Sequence, residues 1–259
     1  MSSVPGVVAL NTFRESVRDR VLYNLIFFAL VMIAAAVIVG KISIGVEREV
    51  IINLGLTAIS LFGLVMAIFI GVGLVYKEIE KRTLYSLLAK PVQRWQFLTG
   101  KYLGLLLTLT VNTALMALGI FVALIYVDHK LVASDAHILV AVYFILLQLA
   151  LTTAIALLFS CFSTPMLSTI FTLGFYIAGT FAPDIRGLGT LTGSNAVRVI
   201  ASGIYYLLPN FSNMNIISVT AHGNAVPKSL IALNTAYAAI YIGAVLLAAS
   251  AIFSNRNLK

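Results

Sequence analysis

The sequence has few charged residues and only one cysteine, and both shortages narrow the class of protein. Of its 259 residues, 10% are charged and 61% are hydrophobic, and the mean hydropathy is +1.03. Soluble globular domains carry about 25% charged and about 45 to 50% apolar residues. The composition therefore excludes an ordinary soluble domain and predicts an integral membrane protein. The single cysteine, Cys161, excludes an intrachain disulfide and a cysteine-rich metal site.

Sequence signatures of catalysis are also missing. The chain has no phosphate-binding loop, no H-E-x-x-H zinc motif, no C-x-x-C pair and no G-x-S-x-G nucleophile turn. Its three histidines are scattered along the chain, so we expect no metal site. We predict no catalytic residue and no cofactor bound by this chain, and any energy for its work must come from a partner. Most of the 17 Lys and Arg residues lie between apolar runs, so membrane topology explains them better than a nucleic-acid partner does.

Six apolar stretches are long enough to cross the roughly 30 Å hydrocarbon core of a bilayer. They are too long for barrel strands and show no alternation, so we predict an all-α bundle, a single six-span transmembrane domain over residues 21–259. A cleaved signal peptide is the alternative for the first stretch, but its length is that of a span. The expected spans are about residues 21–40, 50–76, 102–127, 138–160, 165–182 and 230–253.

The basic residues predict the orientation of this bundle, because Lys and Arg in short loops stay on the cytoplasmic side. With the N-terminus inside, eleven of the 17 fall on the cytoplasmic side and six on the other. Six spans then return the C-terminus to the cytoplasm. The cytoplasmic set comprises Arg14, Arg18, Arg20, Lys77, Lys81, Arg82, Lys90, Arg94, Lys101, Arg256 and Lys259.

Residues 1–20 are predicted to form a cytoplasmic interfacial helix. Apolar and charged side chains separate onto opposing faces there, as in a helix lying along the inner leaflet. The alternative is a solvated tail, because the apolar stripe is short. The residues that define the predicted helix are Leu10, Phe13 and Val17 on the apolar face and Arg14 and Arg18 on the charged face.

The loop between the second and third spans, residues 77–101, is too patterned for a simple connector. Glu78 and Arg82 stand at i and i+4, and Leu84, Leu87 and Leu88 form one apolar face. These features predict a short amphipathic helix that ends before a proline. The alternative is that the basic residues only set topology and the aromatic residues only anchor at the interface.

Small residues at intervals of four predict close helix contacts within the spans. The candidate packing residues are Gly63, Ala67 and Gly71 in the second span, and Gly100 and Gly104 at the start of the third. Such contacts could join two subunits or lie within one. No ionisable residue lies at membrane depth, which disfavours a proton- or ion-coupled carrier.

The region between the last two predicted spans, about residues 183–229, contains a 13-residue apolar segment at 196–208. It is too short to cross a bilayer, so we expect a re-entrant or interfacial helix. A seventh crossing is the alternative, and it would move the C-terminus to the other side.

Two segments carry a resemblance to a known family. They are the run from Thr12 to Tyr23 before the first span and the run from Lys77 through Lys90-Pro-Val-Gln-Arg94 to Gly100-Lys-Tyr102. The pattern resembles the six-span permease subunits of type-2 ABC exporters. It looks most similar to the permeases associated with multicopper enzyme maturation, typified by the nitrous oxide reductase accessory transporter.

The resemblance implies a permease dimer, which we expect to be a homodimer of this chain, in a bacterial or archaeal inner membrane. Two copies of a separate ATPase would bind ATP and Mg²⁺, and an extracytoplasmic accessory protein is a further partner that the family allows. The start of the chain would be the elbow helix, and residues 78–88 the coupling helix. The implied ATPase-coupling residues are Glu78, Lys81, Arg82, Thr83, Leu84, Tyr85, Leu87 and Leu88.

Two alternative functions remain open at the level of sequence. One is a non-transporting membrane scaffold or immunity-type protein built on the same bundle. The other is a self-contained ion-coupled carrier, which the lack of membrane-embedded charge disfavours. The substrate, its binding residues and its direction of travel do not follow from the sequence.

Overall fold

The computed structural model describes residues 4–18, 20–43, 45–80, 94–130, 132–191 and 195–255, and these ranges contain helices and turns but no strand. The helices, in chain order, are α1 Val4–Val17, α2 Arg20–Ile42, α3 Glu47–Glu80, α4 Arg94–Asp128, α5 Ala136–Ser160, α6 Pro165–Thr180, α7 Ala182–Leu191, α8 Asn195–Leu207, α9 Ile217–Ala221 and α10 Lys228–Asn255. Short 3-10 turns stand at Ala133–Asp135 and Ser212–Met214.

Within the described part of the chain, five helices are long and apolar enough to cross a membrane: α2, α3, α4, α5 and α10. A sixth crossing exists if α6 and the first turns of α7 form one broken span, with a bend of 56° between them. The fold is therefore an all-helical membrane bundle with five or six candidate spans. The break follows Thr180, so the predicted span at 165–182 ends where the chain turns.

Helix α5 is the centre of the bundle. It packs against α3, α4, α6 and α10, and 72% of the residues in its apolar stretch are buried. Buried side chains point from every side of this helix, among them Phe144, Leu151 and Ile155. A helix that is apolar all round is stable only when other helices surround it, so its composition explains its central position.

Two glycines allow α3 to approach α5 closely. A Cβ atom added at Gly63 would lie 2.6 Å from Cδ1 of Leu149, and one added at Gly71 would lie 3.0 Å from Cβ of Ala156. Ala67, between them, is also buried. This small-residue face of α3 packs within the chain, where it brings two spans together.

Helices α2 and α10 lie at the periphery, and each leaves an apolar face uncovered. On α10, Leu233, Ile240 and Leu247 are each more than 70% exposed and recur every seven residues, which places them on one face. Only 17% of the residues in the apolar stretch of α10 are buried. Exposed apolar faces of this size belong against lipid or another subunit.

Helices α3 and α4 extend well beyond their predicted spans. α3 continues to Glu80, and α4 begins at Arg94 where the third span is expected from Tyr102. With 34 and 35 residues they are each about 50 Å long, against roughly 30 Å for the hydrocarbon core. Hydropathy marks only the membrane-crossing part of a helix, whereas Lys, Arg, Glu and Gln continue it at little cost.

The connection from α6 to α10 is more helical than expected. The structure has α8 at Asn195–Leu207, where the sequence predicts a short apolar helix at 196–208. It adds α7 and α9, which the sequence analysis does not predict. Gly187 and Gly189 lie inside α7, and glycine lowers helix propensity by about 1 kcal/mol per residue, so local preference argues against this helix.

Candidate functional site

A line of polar side chains runs along one face of α3 inside its apolar span. Asn53, Thr57 and Ser60 are spaced i, i+4 and i+7, which puts them on the same side of the helix. They line a cavity of about 370 Å³ between α3, α6 and the segment before α9. The other lining residues are Leu61, Leu64, Tyr176, Asn215, Ile217 and Ser218.

Tyr176 closes the inner end of this cavity and links it to the central helix. The side-chain amide of Gln148, on α5, donates a hydrogen bond to the Tyr176 hydroxyl over 2.9 Å. The same hydroxyl is hydrogen bonded with Ser60 on α3. The buried Gln148 therefore has a partner, and three helices are joined through one phenol group.

A second cavity, of about 460 Å³, continues the first toward the beginning of α3. The two share Asn53, and the second ends at Glu49 and His222, whose carboxylate and imidazole lie 3.8 Å apart. We call the two together the α3 groove. It runs from the polar edge of the bundle, past Asn53, to Tyr176 inside the span.

The groove has to face water, cargo or another subunit. A side-chain amide such as that of Asn53 finds no hydrogen-bond partner among lipid tails, which costs free energy, whereas a Ser or Thr hydroxyl in such a place can bond only within its own helix. Thr57 is exposed and Asn53 and Ser60 are half-buried, so the chain itself does not cover them. A polar groove at span depth is therefore the feature of this bundle that points to a ligand path or a subunit interface.

A compact ion cluster lies beside the start of the groove. The Arg48 guanidinium donates from its two terminal nitrogens to Asp128 and to Asp135. The other Asp135 oxygen accepts from the backbone N–H of Val132 over 2.8 Å. One arginine thus ties the start of α3 to the end of α4 and the start of α5. We call this side of the bundle, with the groove mouth, the far end.

The opposite side, which we call the terminal end, is formed by α1, the first turns of α4 and the last turns of α10. It is closely packed. A Cβ atom added at Gly100 would lie 2.7 Å from Cβ of Val8, and one added at Gly104 would lie 2.5 Å from the Ala9 carbonyl oxygen. From Gly100 to Gly104 on α4, the neighbouring residue on α1 moves forward from Val8 to Thr12. Helix α1 therefore runs parallel to the first turns of α4.

Aromatic and charged contacts complete the terminal end. The rings of Phe97 and Phe253 stack with centroids 6.3 Å apart, and Leu98, Cys161 and Ala249 are buried with them. Lys101 is buried, with its ammonium 3.7 Å from Glu15 and 5.7 Å from the centroid of the Phe97 ring. Helices α1, α4, α5 and α10 are therefore locked together on this side.

The comparisons with known proteins identify the family. The family model described as ABC-2 family transporter protein matches residues 7–258, nearly the whole chain. The chain belongs to the ABC-2 transporter family. None of the curated proteins matches it significantly.

As a member of the ABC-2 family, the chain is a multi-pass membrane component of an ABC transporter, and that family works with an ATPase partner. An ABC-2 membrane component is not catalytic alone. Within the described ranges no group of three or more His, Cys, Asp or Glu side chains could hold a metal ion. The polar groove is the feature of this permease that needs a functional explanation.

Most of the predicted coupling residues of the permease, Lys81 to Leu88, lie outside the described residues. Glu78 lies in the last turn of α3, so the backbone of the predicted coupling segment begins as a continuation of that helix. The first residue described after the segment, Arg94, begins α4. In the sequence, residues 81–93 therefore lie between α3 and α4.

Four of the predicted elbow residues lie on α1 and Arg18 follows its last residue, but the buried residues of the helix are others. Thr12 and Ser16 are the buried residues of α1, while Leu10, Arg14 and Arg18 are exposed and Phe13 and Val17 half-buried. Helix residues advance by about 100° each, so the packed face and the Leu10 face are about a third of a turn apart. The Leu10 face stays available for lipid, and the lipid contact remains a prediction.

Sequence reasoning missed the α3 groove and the Arg48 cluster in this permease. The spacing of Asn53, Thr57 and Ser60 was a usable signal, because three polar groups on one face of a span rarely point to lipid. The Arg48 cluster had no local signal, since its two acidic partners lie 80 and 87 positions further along the chain.

Proposed function

We propose that the chain is the permease subunit of an ATP-driven exporter, powered by two copies of a separate ATPase that dock on residues 77–101. ATP and Mg²⁺ would bind to the ATPase. The observation that carries the proposal is that α3 holds the polar groove and runs unbroken to the docking segment at Glu80. Movement imposed on that segment would therefore be delivered to the groove through one helix.

The packing of the terminal end supports this transmission. Helix α4 leaves the docking segment at Arg94 and is clamped at once by α1, through Gly100 and Gly104, and by α10, through the Phe97–Phe253 stack. Because close-packed helices move as units rather than deform, a push on the segment would shift α3 relative to this clamped group.

A second copy of the permease would cover the exposed side of the groove. The groove opens on the surface of one chain, and the polar side chains Asn53, Thr57 and Ser60 in its lining are better suited to water or a partner than to lipid. A homodimer encloses two such grooves around a common path, and it meets the need for a pair of ATPases. We infer export from the cytoplasm from the family resemblance alone, and the distribution of Lys and Arg supports an inner-membrane topology with both termini in the cytoplasm. An extracytoplasmic accessory protein and the specialisation in copper-enzyme maturation stay predictions.

The docking proposal is tested with a double substitution in the segment, Leu84→Asp with Leu87→Asp. The tagged chain is extracted in mild detergent from its native membrane, the co-purifying proteins are identified by mass spectrometry, and ATP hydrolysis of the eluate is measured. We expect an ATPase with the wild type and at least a tenfold lower yield of it with the variant. Charged side chains on the apolar face remove its contact with a partner groove.

The matched control is Val46→Asp with Val132→Asp, two exposed apolar residues of the far end. We expect this pair to retain the ATPase, and both variants to reach the membrane in wild-type amount. An unchanged ATPase yield with the Leu84 and Leu87 variant would overturn the docking site. Recovery of the wild-type chain without any ATPase would favour the scaffold function.

A further inference from the structure

A third cavity of about 370 Å³ lies at the far end, away from the α3 groove, between α8 and the first turns of α10. Its size falls in the range of small-molecule sites, about 300 to 1,000 Å³. Aromatic and amide side chains dominate its lining. The lining residues are Tyr205, Tyr206, Asn210, Asn213, Leu233, Asn234 and Tyr237.

Part of this lining is held rigidly by its own hydrogen bonds. Asn210 is buried; its side-chain amide donates to the Tyr205 hydroxyl over 3.2 Å, and its backbone N–H donates to the Tyr237 hydroxyl over 3.0 Å. The backbone N–H of Asn213 donates to the Asn210 side-chain oxygen over 3.3 Å. Asn234, also buried, donates to the Asn213 carbonyl over 3.4 Å and to the Leu230 carbonyl over 3.1 Å. The walls are therefore in place before any ligand arrives.

The same bonds leave a defined set of groups for a ligand. Both phenol oxygens of Tyr205 and Tyr237 accept from Asn210, so each keeps its own O–H proton to donate. The Asn234 side-chain oxygen and the whole Asn213 side-chain amide make no hydrogen bond among the described residues. The cavity thus offers donors and acceptors of both kinds, all uncharged.

Flat apolar surface adjoins these groups. Tyr205 and Tyr206 stand edge to face, with ring centroids 5.3 Å apart, and Tyr206 is 73% exposed. The Arg186 guanidinium, from α7, lies 4.8 Å and 5.8 Å from these two centroids. This arginine is not part of the lining, and it holds the rings in position through cation–π contacts.

From this arrangement we infer that the cavity is a binding site for a neutral sugar, either free or as the headgroup of a glycolipid. A pyranose ring presents neighbouring hydroxyls, which pair with amide and phenol groups, and an apolar C–H face, which stacks on an aromatic ring. The lining contains no charged side chain to recognise a phosphate or an ammonium group. The site goes beyond the proposed function and does not depend on ATPase docking.

Tyrosines at a membrane interface commonly act as simple anchors. The hydrogen bonds of this group argue against such a role here. An anchoring tyrosine turns its hydroxyl to water and headgroups. Here the Tyr205 and Tyr237 hydroxyls converge on Asn210, and the Tyr241 hydroxyl, one turn further along α10, donates to the Leu207 carbonyl over 2.8 Å. Anchoring requires neither this convergence nor a cluster of three asparagines.

The test uses the full chain in phosphatidylcholine nanodiscs and saturation-transfer NMR, which detects weak ligands of large particles. The probes are maltotriose, lactose and chitobiose. We expect saturation transfer to at least one of them, and about tenfold weaker binding after Asn213→Ala, a loss of one good hydrogen-bonding group. This substitution leaves the backbone bonds of Asn213 in place. A second variant, Tyr206→Ala, removes an exposed stacking surface and should also weaken binding.

The matched control is Asn224→Ala, an exposed asparagine outside the cavity, which should bind like the wild type. Nanodiscs that contain digalactosyldiacylglycerol separate the two sources of sugar. Loss of the free-sugar signal in these discs identifies a glycolipid headgroup, and an unchanged signal identifies a free sugar. The inference is overturned if none of the three probes binds, if Asn213→Ala and Tyr206→Ala bind as tightly as the wild type, or if phosphatidylglycerol discs displace the sugar as well as glycolipid discs do.

Discussion

The two ends of the bundle are built in different ways. At the terminal end, glycines and stacked aromatic rings bring α1, α4, α5 and α10 into close contact around a buried apolar cluster. At the far end, an arginine holds two carboxylates, and polar cavities open between the helices. The difference teaches that one end is packed closely enough to move as a unit, and that the other presents polar groups to ligands.

The largest expected effect breaks the ion cluster of the far end. In Arg48→Gln, the buried carboxylate of Asp135 and the partly buried carboxylate of Asp128 lose their common cation. Removing one partner of a buried ion pair costs about 3 to 5 kcal/mol. Because Arg48 is a quarter exposed, we expect a loss of free energy of unfolding at the low end of that range. Thermal or denaturant unfolding of the purified chain in detergent measures it.

Arg198→Gln serves as the control for this substitution, since Arg198 is exposed on α8. It should leave the unfolding transition within about 0.5 kcal/mol of the wild type. Equal stability of Arg48→Gln and Arg198→Gln would mean that the cluster does not hold the far end together.

A smaller effect is expected from overpacking the terminal end. A methyl group in Gly104→Ala would lie 2.5 Å from the Ala9 carbonyl oxygen and 2.6 Å from Cβ of Thr12, so α1 must move away from α4. Overpacking of this kind costs about 1 to 3 kcal/mol. Unfolding experiments measure the loss, and limited proteolysis should find α1 more accessible.

The companion variant Gly243→Ala adds the same methyl group at a helical glycine with open space around it. Alanine has the higher helix propensity, so this change should stabilise the chain by up to about 1 kcal/mol. Opposite signs for the two variants would support the close packing of the terminal end, and the same sign would argue against it.

The smallest predicted effect concerns the inner end of the groove. Gln148→Leu removes the hydrogen bond to Tyr176. Bonds between helices within a membrane contribute about 0.6 kcal/mol on average, so we expect a loss of that order in unfolding experiments. Thr172→Val is the comparison, because the buried Thr172 hydroxyl donates to the carbonyl of Ser168 in its own helix. A loss from Thr172→Val as large as that from Gln148→Leu would remove the special role of the interhelical bond.

The sequence predicts the spanning helices well where apolar runs coincide with whole helices. The predicted spans 21–40 and 138–160 agree closely with α2 and α5, and Pro165 begins α6, as its fixed φ allows at a first helical position. The bounds of α3 and α4 differ more, because charged residues can extend a helix beyond the membrane without any change in hydropathy that marks its end.

The sites were less predictable because they depend on contacts between distant parts of the chain. Asn210 and Tyr237 meet across 27 positions, and Arg48 and Asp128 across 80. No pattern of neighbouring residues in the sequence indicates either contact. The candidate packing glycines were visible as a spacing, but only the structure assigns Gly63 and Gly71 to α5, and Gly100 and Gly104 to α1.

The central claim is that the docking segment of the terminal end controls the α3 groove, and a cysteine placed in the groove tests it directly. With the buried Cys161 changed to Ala, Thr57→Cys supplies one exposed thiol in the groove, and Asn224→Cys supplies one outside it. The rate of maleimide labelling is measured in the complex with its ATPase, with and without ATP. The account predicts a several-fold ATP-dependent change at position 57, none at position 224, and loss of the change with Leu84→Asp and Leu87→Asp. Equal labelling of position 57 with and without ATP, in a complex that hydrolyses ATP, would contradict it.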